Sequence, residues 1–146
     1  MSTKKYKKGE IVFMQGDVES CMYDVISGSF GVYDNYGTAG AKLLTTLSYG
    51  SFFGEIAMVE GSPRTATVVA LEDSTAAVIE KDGFVDYFRD KPRKVIAIMS
   101  STSERVRSLT KDYIHVCGLI SEYVACEEKG ENPSAELMKE LKRIAR

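Results

Sequence analysis

Up to about residue 79 the hydrophobic positions come in short runs cut by glycine; beyond it they recur at helical spacing. The short runs predict strands over residues 10–13, 21–26, 30–33, 42–47, 65–71 and 74–79. Gln15-Gly16-Asp17 and Ser27-Gly28 turn the chain between them, and residues 34–40, with two glycines, form the strongest hairpin signal. A further turn at residues 49–51 leads into the stretch that carries the chemistry. Short, evenly spaced strands with glycine turns predict a β sandwich or jelly roll.

The second half reads as helix. Asp82 is placed to cap a short helix with Phe84, Val85 and Phe88 on its apolar face. Pro92 suits the first position of a long one. Its apolar positions are Val95, Met99, Thr102, Val106, Leu109, Tyr113, Val116, Ile120 and Tyr123, in steps of four and three. That is a heptad seam, imperfect at Thr102. A helix over residues 92–125 would run roughly 50 Å at ~1.5 Å per residue, more than a small roll can cover. The spacing therefore predicts pairing with a second copy, and Gly118 marks a place where the helix can kink. Residues 127–131 read as a charged linker. Asn132 and Pro133 can start a last helix with Leu137, Met138, Leu141 and Ile144 on one face. The expected division is a β-roll at 1–90, a long dimerisation and lid helix at 91–126, and a linker with a short amphipathic helix at 127–146.

Between the roll's strands lies residues 52–69, F-F-G-E-I-A-M-V-E-G-S-P-R-T-A-T-V-V. Gly54 lets backbone approach a ligand, since no Cβ intervenes. A helical turn from Glu55 through Ile56 and Ala57 would aim backbone N–H groups at an anion. Gly61, Ser62 and Pro63 then reverse the chain and deliver Arg64, which can take a phosphate through two parallel N–H···O bonds. Glu55 would repel a phosphate, but it fits a ligand that also carries a sugar hydroxyl. The residues describe a cradle for an anion joined to a hydroxyl. An ordinary ion pair on a sheet hairpin is the plainer alternative.

This stretch closely resembles the phosphate-binding cassette of cyclic-nucleotide-binding domains, found in catabolite-activator-type regulators, cyclic-nucleotide-dependent kinases and cyclic-nucleotide-gated channels. Gly54, Glu55, Arg64 and Ala66 each fall on a motif position, and the likeness extends from about Tyr6 to Asp112. The resemblance implies an eight-stranded jelly roll followed by a long C-terminal helix, with Gly16, Gly28 and Gly54 as turn glycines. It implies that Glu55 holds the ribose 2′-OH, that Arg64 holds the cyclic phosphate, and that the backbone N–H groups of Ala57 and Ala66 assist. It places the base against Val32, Leu44 and Thr45, with the long helix covering it near Leu109 and Thr110. Thr65 accompanies guanine in some members and cAMP in others, and Thr110 can bond a purine amine, so the ligand is cAMP or cGMP, with cAMP favoured.

Composition narrows the alternatives. The 146 residues suffice for one domain with a core, and 44% hydrophobic content marks a globular chain. A net charge of −2 argues against a dedicated nucleic-acid binder. Lys4, Lys5, Lys7 and Lys8 read as a solvated end. Cys21, Cys117 and Cys126 lack metal-type spacing and read as reduced thiols of a cytoplasmic protein. No signal peptide or membrane span is expected. A metal-dependent roll enzyme needs two or three histidines, and His115 is the one histidine, far outside the roll. No P-loop, Gly-x-Ser-x-Gly or Cys–His pair occurs. No catalytic residue, metal or cofactor is assigned. Too few residues follow Tyr113 for a helix-turn-helix, so direct DNA binding is not expected.

The expected function is a sensor domain that couples cyclic-nucleotide binding to movement of its long helix, read by an unnamed downstream protein. The alternative from another class is a scaffold or interaction module that keeps the roll and has lost or changed its ligand.

Overall fold

A computed structural model describes residues 2–89 and 91–144. Eight strands form two antiparallel four-stranded sheets. One has the order β1-β8-β3-β6, from β1 (Ser2–Tyr6), β8 (Ser74–Glu80), β3 (Cys21–Ser27) and β6 (Phe52–Phe53). The other has the order β2-β7-β4-β5, from β2 (Ile11–Phe13), β7 (Thr67–Ala70), β4 (Phe30–Asp34) and β5 (Lys42–Leu47). Apart from the β4–β5 hairpin, consecutive strands switch between sheets, which makes the jelly roll. The helices are α1 (Glu55–Glu60), α2 (Phe84–Phe88), α3 (Pro92–Lys129) and α4 (Ala135–Ile144).

Alternation in the strands sorts residues between two apolar clusters. In β3, Cys21, Tyr23 and Val25 turn into the roll, where they join Tyr6, Phe13, Phe30, Phe53 and Val68. Tyr23 and Phe53 stack with centroids 4.8 Å apart, and Phe30 meets Phe53 at 5.3 Å. Met22, on the other side of the same strand, joins Phe52, Met58, Ile79, Tyr87 and Phe88 in a second cluster. That cluster is the seam between the sheet and the helices α1 and α2, and Ile98 of α3 packs on it.

Two strands lie outside the predicted runs: the two-residue β6, and β1. The lysine-bearing N-terminus is not a loose end: β1 pairs with β8 over five residue pairs, from Ser2 opposite Val78 to Tyr6 opposite Ser74. Only Tyr6 of β1 is buried, so the strand is held by its backbone ladder, which a hydrophobic pattern does not report. At the β3–β4 turn Gly28 has φ 76°, and a Cβ there would lie 2.2 Å from Ser74 Oγ. No side chain fits.

Several helix ends also move. Asp82 does not cap α2; it sits inside a 3-10 turn, Lys81–Gly83, that leads into the helix without a side-chain cap. The buried residues of α2 are Tyr87 and Phe88, while Val85, expected on the apolar face, is exposed. α3 runs unbroken through Gly118 and ends at Lys129, so residues 127–129 are its last turn rather than linker. Ser134, not Asn132 or Pro133, opens α4: its Oγ accepts from Leu137 N–H at 3.1 Å.

The chain divides into two compact units, Met1–Ser100 and Ser101–Arg146. α3 begins in the first and ends in the second. It has no buried residue, and the seam positions Leu109 and Tyr113 are 69% and 70% exposed. In the second unit α4 buries Leu137, and His115 of α3 faces Glu140 of α4 at 3.9 Å. Among the described residues no helix is long and apolar enough to cross a membrane.

Candidate functional site

The cassette is built on two tight turns. Gly54 stands at the head of α1 with φ 76° and ψ 5°, a left-handed conformation that costs glycine little. Gly61 closes the helix with φ 67°, its N–H donating to Ala57 O at 2.9 Å. α1 is therefore one short helical segment pinned by glycine at each end, with Ala57 and Met58 buried.

Arg64 is gripped from the turn at residues 15–17. Its backbone N–H donates to Asp17 O, and its carbonyl accepts from Gly16 N–H, both at 2.8 Å. The turn is itself fixed, by Met14 N–H on Asp17 Oδ2 and by Gln15 N–H on Thr67 Oγ1. These bonds send the Arg64 side chain into the roll, where the residue is 3% exposed. Its guanidinium carbon lies 4.1 Å from the centroid of Phe13. Nη1 donates to Gly54 O at 2.9 Å. Nη2 donates to Glu19 Oε2 and to Cys21 Sγ, each at 3.3 Å. Nε is buried with no acceptor. A Cβ on Gly54 would stand 2.5 Å from Arg64 Nη1, so the bare backbone at 54 is what admits the cation.

Thus Gly54 and Arg64 meet, and Arg64, Ala57 and Ala66 are buried. Glu55 is half-buried at the start of α1, while Ile56 and Thr65 face outward. Val32 and Thr45 are opposed across the β4–β5 ladder; Val32 packs on the core, and Leu44 and Thr45 are exposed. Leu109 and Thr110 belong to the second unit, where Thr110 Oγ1 donates to Val106 O at 2.9 Å.

Two residues at Arg64 were invisible in the spacing: Glu19 and Cys21. Neither lies near position 64 in sequence, and a lone acid and a lone cysteine carry no motif. The interior around them disfavours charge. Burial pushes the Tyr6 hydroxyl up to about 12. Burial, followed by its hydrogen bond with Cys21, raises Tyr23 further above the ordinary tyrosine range. The phenols there resist ionisation, and the guanidinium keeps one buried N–H, at Nε, without an acceptor. Chemically the arrangement presents a buried guanidinium whose fork is shared among a carbonyl, a carboxylate and a thiol. Among the described residues no cluster of His, Cys, Asp and Glu could hold a metal ion.

The family model for the cyclic nucleotide-binding domain matches residues 3–91. This chain belongs to that family. Among its relatives is the cAMP-dependent protein kinase regulatory subunit of Debaryomyces hansenii, 38% identical over 84 residues, which are 58% of this chain and 18% of that protein. The matched stretch is thus a small part of the relative. The crystal structure of Thermus thermophilus catabolite activator protein superposes with a TM-score of 0.69 at 20% identity, covering 90% of this chain and 65% of that one, a likeness of fold. A structure of cAMP-bound PfPKA-R matches with a TM-score of 0.54 at 26% identity, over 57% of this chain and 30% of that one. The cyclic nucleotide-binding domain found here is a regulatory module in such relatives.

Proposed function

We propose that this domain binds a 3′,5′-cyclic nucleotide inside the roll and reports occupancy through α3. The observation that carries the reading is the buried guanidinium of Arg64, which keeps an Nε–H without an acceptor and is admitted by the bare backbone of Gly54. The cyclic phosphate would lie on Arg64 and on the N–H groups of Ala57 and Ala66. Glu55 would accept from the ribose 2′-OH, and Val32, Leu44 and Thr45 would flank the base. Leu109 and Thr110 would close over it as α3 shifts, so that the ligand favours one helix position by its differential contacts. cAMP is preferred over cGMP, in keeping with the relatives whose names carry it.

The exposed seam on α3 would hold a second copy in parallel, and the domain would act without catalysis, as a cytoplasmic switch for a downstream protein. Light scattering behind gel filtration tests the pairing: a dimer is expected, and a strict monomer at high micromolar concentration would rule it out.

The test of the site is calorimetry on Arg64→Ala with both nucleotides. Loss of the fork leaves a buried phosphate unpaired and should cost about 2–5 kcal/mol, at least ~30-fold in affinity. Binding equal to wild type sinks the assignment. A second reading, a roll that serves as an interaction module without this ligand, draws support from Glu19, whose carboxylate already rests on Arg64. A thermal shift against millimolar cyclic nucleotides separates the two, since a ligand at 100 times its Kd adds about 2.7 kcal/mol of stability.

A further inference from the structure

In the layer that holds α1, two helices converge on one carboxylate oxygen of β3. Asp24 stands in the middle of β3, paired through its backbone with Ala77 of β8 and Phe52 of β6. Cys21, Tyr23 and Val25 turn into the aromatic interior, so alternation puts Asp24 with Met22 on the helix side of the sheet. There it is 1% exposed. Tyr87 Oη of α2 donates to Asp24 Oδ2 at 2.5 Å. Lys94 Nζ, from the first turn of α3, donates to the same oxygen and also lies 3.3 Å from Tyr87 Oη. Asp24 Oδ1 is buried and has no donor.

The layer holding this group is also the seat of the cassette. Met58 of α1 and Phe52, two residues before Gly54, pack there with Tyr87 and Phe88. α1 has six residues, too few to keep its shape or place without support. Apolar contact alone is non-directional and lets short helices slide. A buried charge pair has one good geometry and penalises the rest, because a displaced partner leaves an anion in low dielectric.

We propose that Asp24, Tyr87 and Lys94 are positioning residues for the ligand site: their ion pair clamps α2 and the first turn of α3 onto the layer that supports α1, and so holds the cassette in its binding geometry. The ligand half of this inference rests on the cyclic-nucleotide reading; the clamp itself does not. Its effect on affinity is a loss of preorganisation when the clamp is cut.

The experiment uses the full chain and compares Lys94→Met, Lys94→Arg and Asp24→Asn with wild type, by calorimetry with cAMP and cGMP and by native-state hydrogen exchange. Lys94 is partly exposed, and methionine keeps its apolar stem, so this variant folds even if Asp24→Asn does not. Lys94→Met should weaken binding about 3- to 10-fold and speed exchange in α1, while β4 and β7 exchange as before. Lys94→Arg should restore both readouts to within about twofold, which a purely steric role for Lys94 would not produce. The proposal is overturned if Lys94→Met binds like wild type with α1 equally protected, or if arginine loses as much as methionine. Should wild type bind neither nucleotide, the ligand reading fails separately and α1 exchange decides the clamp: faster exchange in Lys94→Met supports it, and unchanged exchange overturns it.

Discussion

Among the described residues two charged side chains are buried, Arg64 inside the roll and Asp24 on its helix side, and they are finished differently. Arg64 is bonded to a glycine carbonyl, a thiol and a half-exposed carboxylate, and retains an idle N–H. Asp24 is bonded by groups from two helices that nothing else requires it to meet. Each keeps one buried atom without a partner, Nε of Arg64 and Oδ1 of Asp24, so what separates them is what meets them: loop and strand groups around the cassette for Arg64, side chains of two helices for Asp24.

On that contrast the two charges respond unequally to removal. Asp24→Ala strips the acceptor from Tyr87 and Lys94 and leaves a void, and should cost about 3 kcal/mol of stability by urea denaturation. Arg64→Met, which keeps a linear apolar stem over Phe13, should change stability by no more than about 1 kcal/mol, because Glu19 can return to water. Equal losses from the two variants would break the comparison.

Gly54→Ala sharpens the Arg64 side. It forces a Cβ into a positive-φ position and toward Nη1, so it should cost about 1–2 kcal/mol of stability and displace the guanidinium. Denaturation together with nucleotide titration checks it, and the affinity loss should exceed the stability loss. The smallest effect concerns pH. The Tyr6 hydroxyl is raised from its ordinary value to about 12, so its folded form resists ionisation. Its contribution is complete below pH 10 and is lost as pH climbs from 10 toward 12. Tyr6→Phe should therefore flatten the alkaline fall in melting temperature; an unchanged slope would show that other groups drive it.

What could be read from the chain follows the range of the interactions. The cassette is contiguous, so Gly54 and Arg64 could be recognised as one device from residues ten apart. The strands β2 to β5, β7 and β8 announce themselves through glycine turns and alternation, whereas the two residues of β6 are too few to show a period. β1 does not, because Lys4 and Lys5 give it a solvated face while its order comes from β8. The Asp24–Lys94 pair joins positions 70 apart, and the Glu19–Arg64 pair positions 45 apart, and no local pattern encodes either. Asp24 did leave one trace: it is the lone acid in C-M-Y-D-V-I, an apolar strand on both faces. The end of α3 was set too early because the glutamates and lysine after Ala125 suit the final turn of a solvated helix as well as a linker.

The alternation of β3 carries a further consequence. A slip of this strand by a single position would thrust the Asp24 carboxylate among the aromatic rings and turn Cys21 away from the arginine. Mispairing would thus be penalised twice, so an insertion or deletion between residues 21 and 24 should be far less tolerated than one in the loop at 35–41.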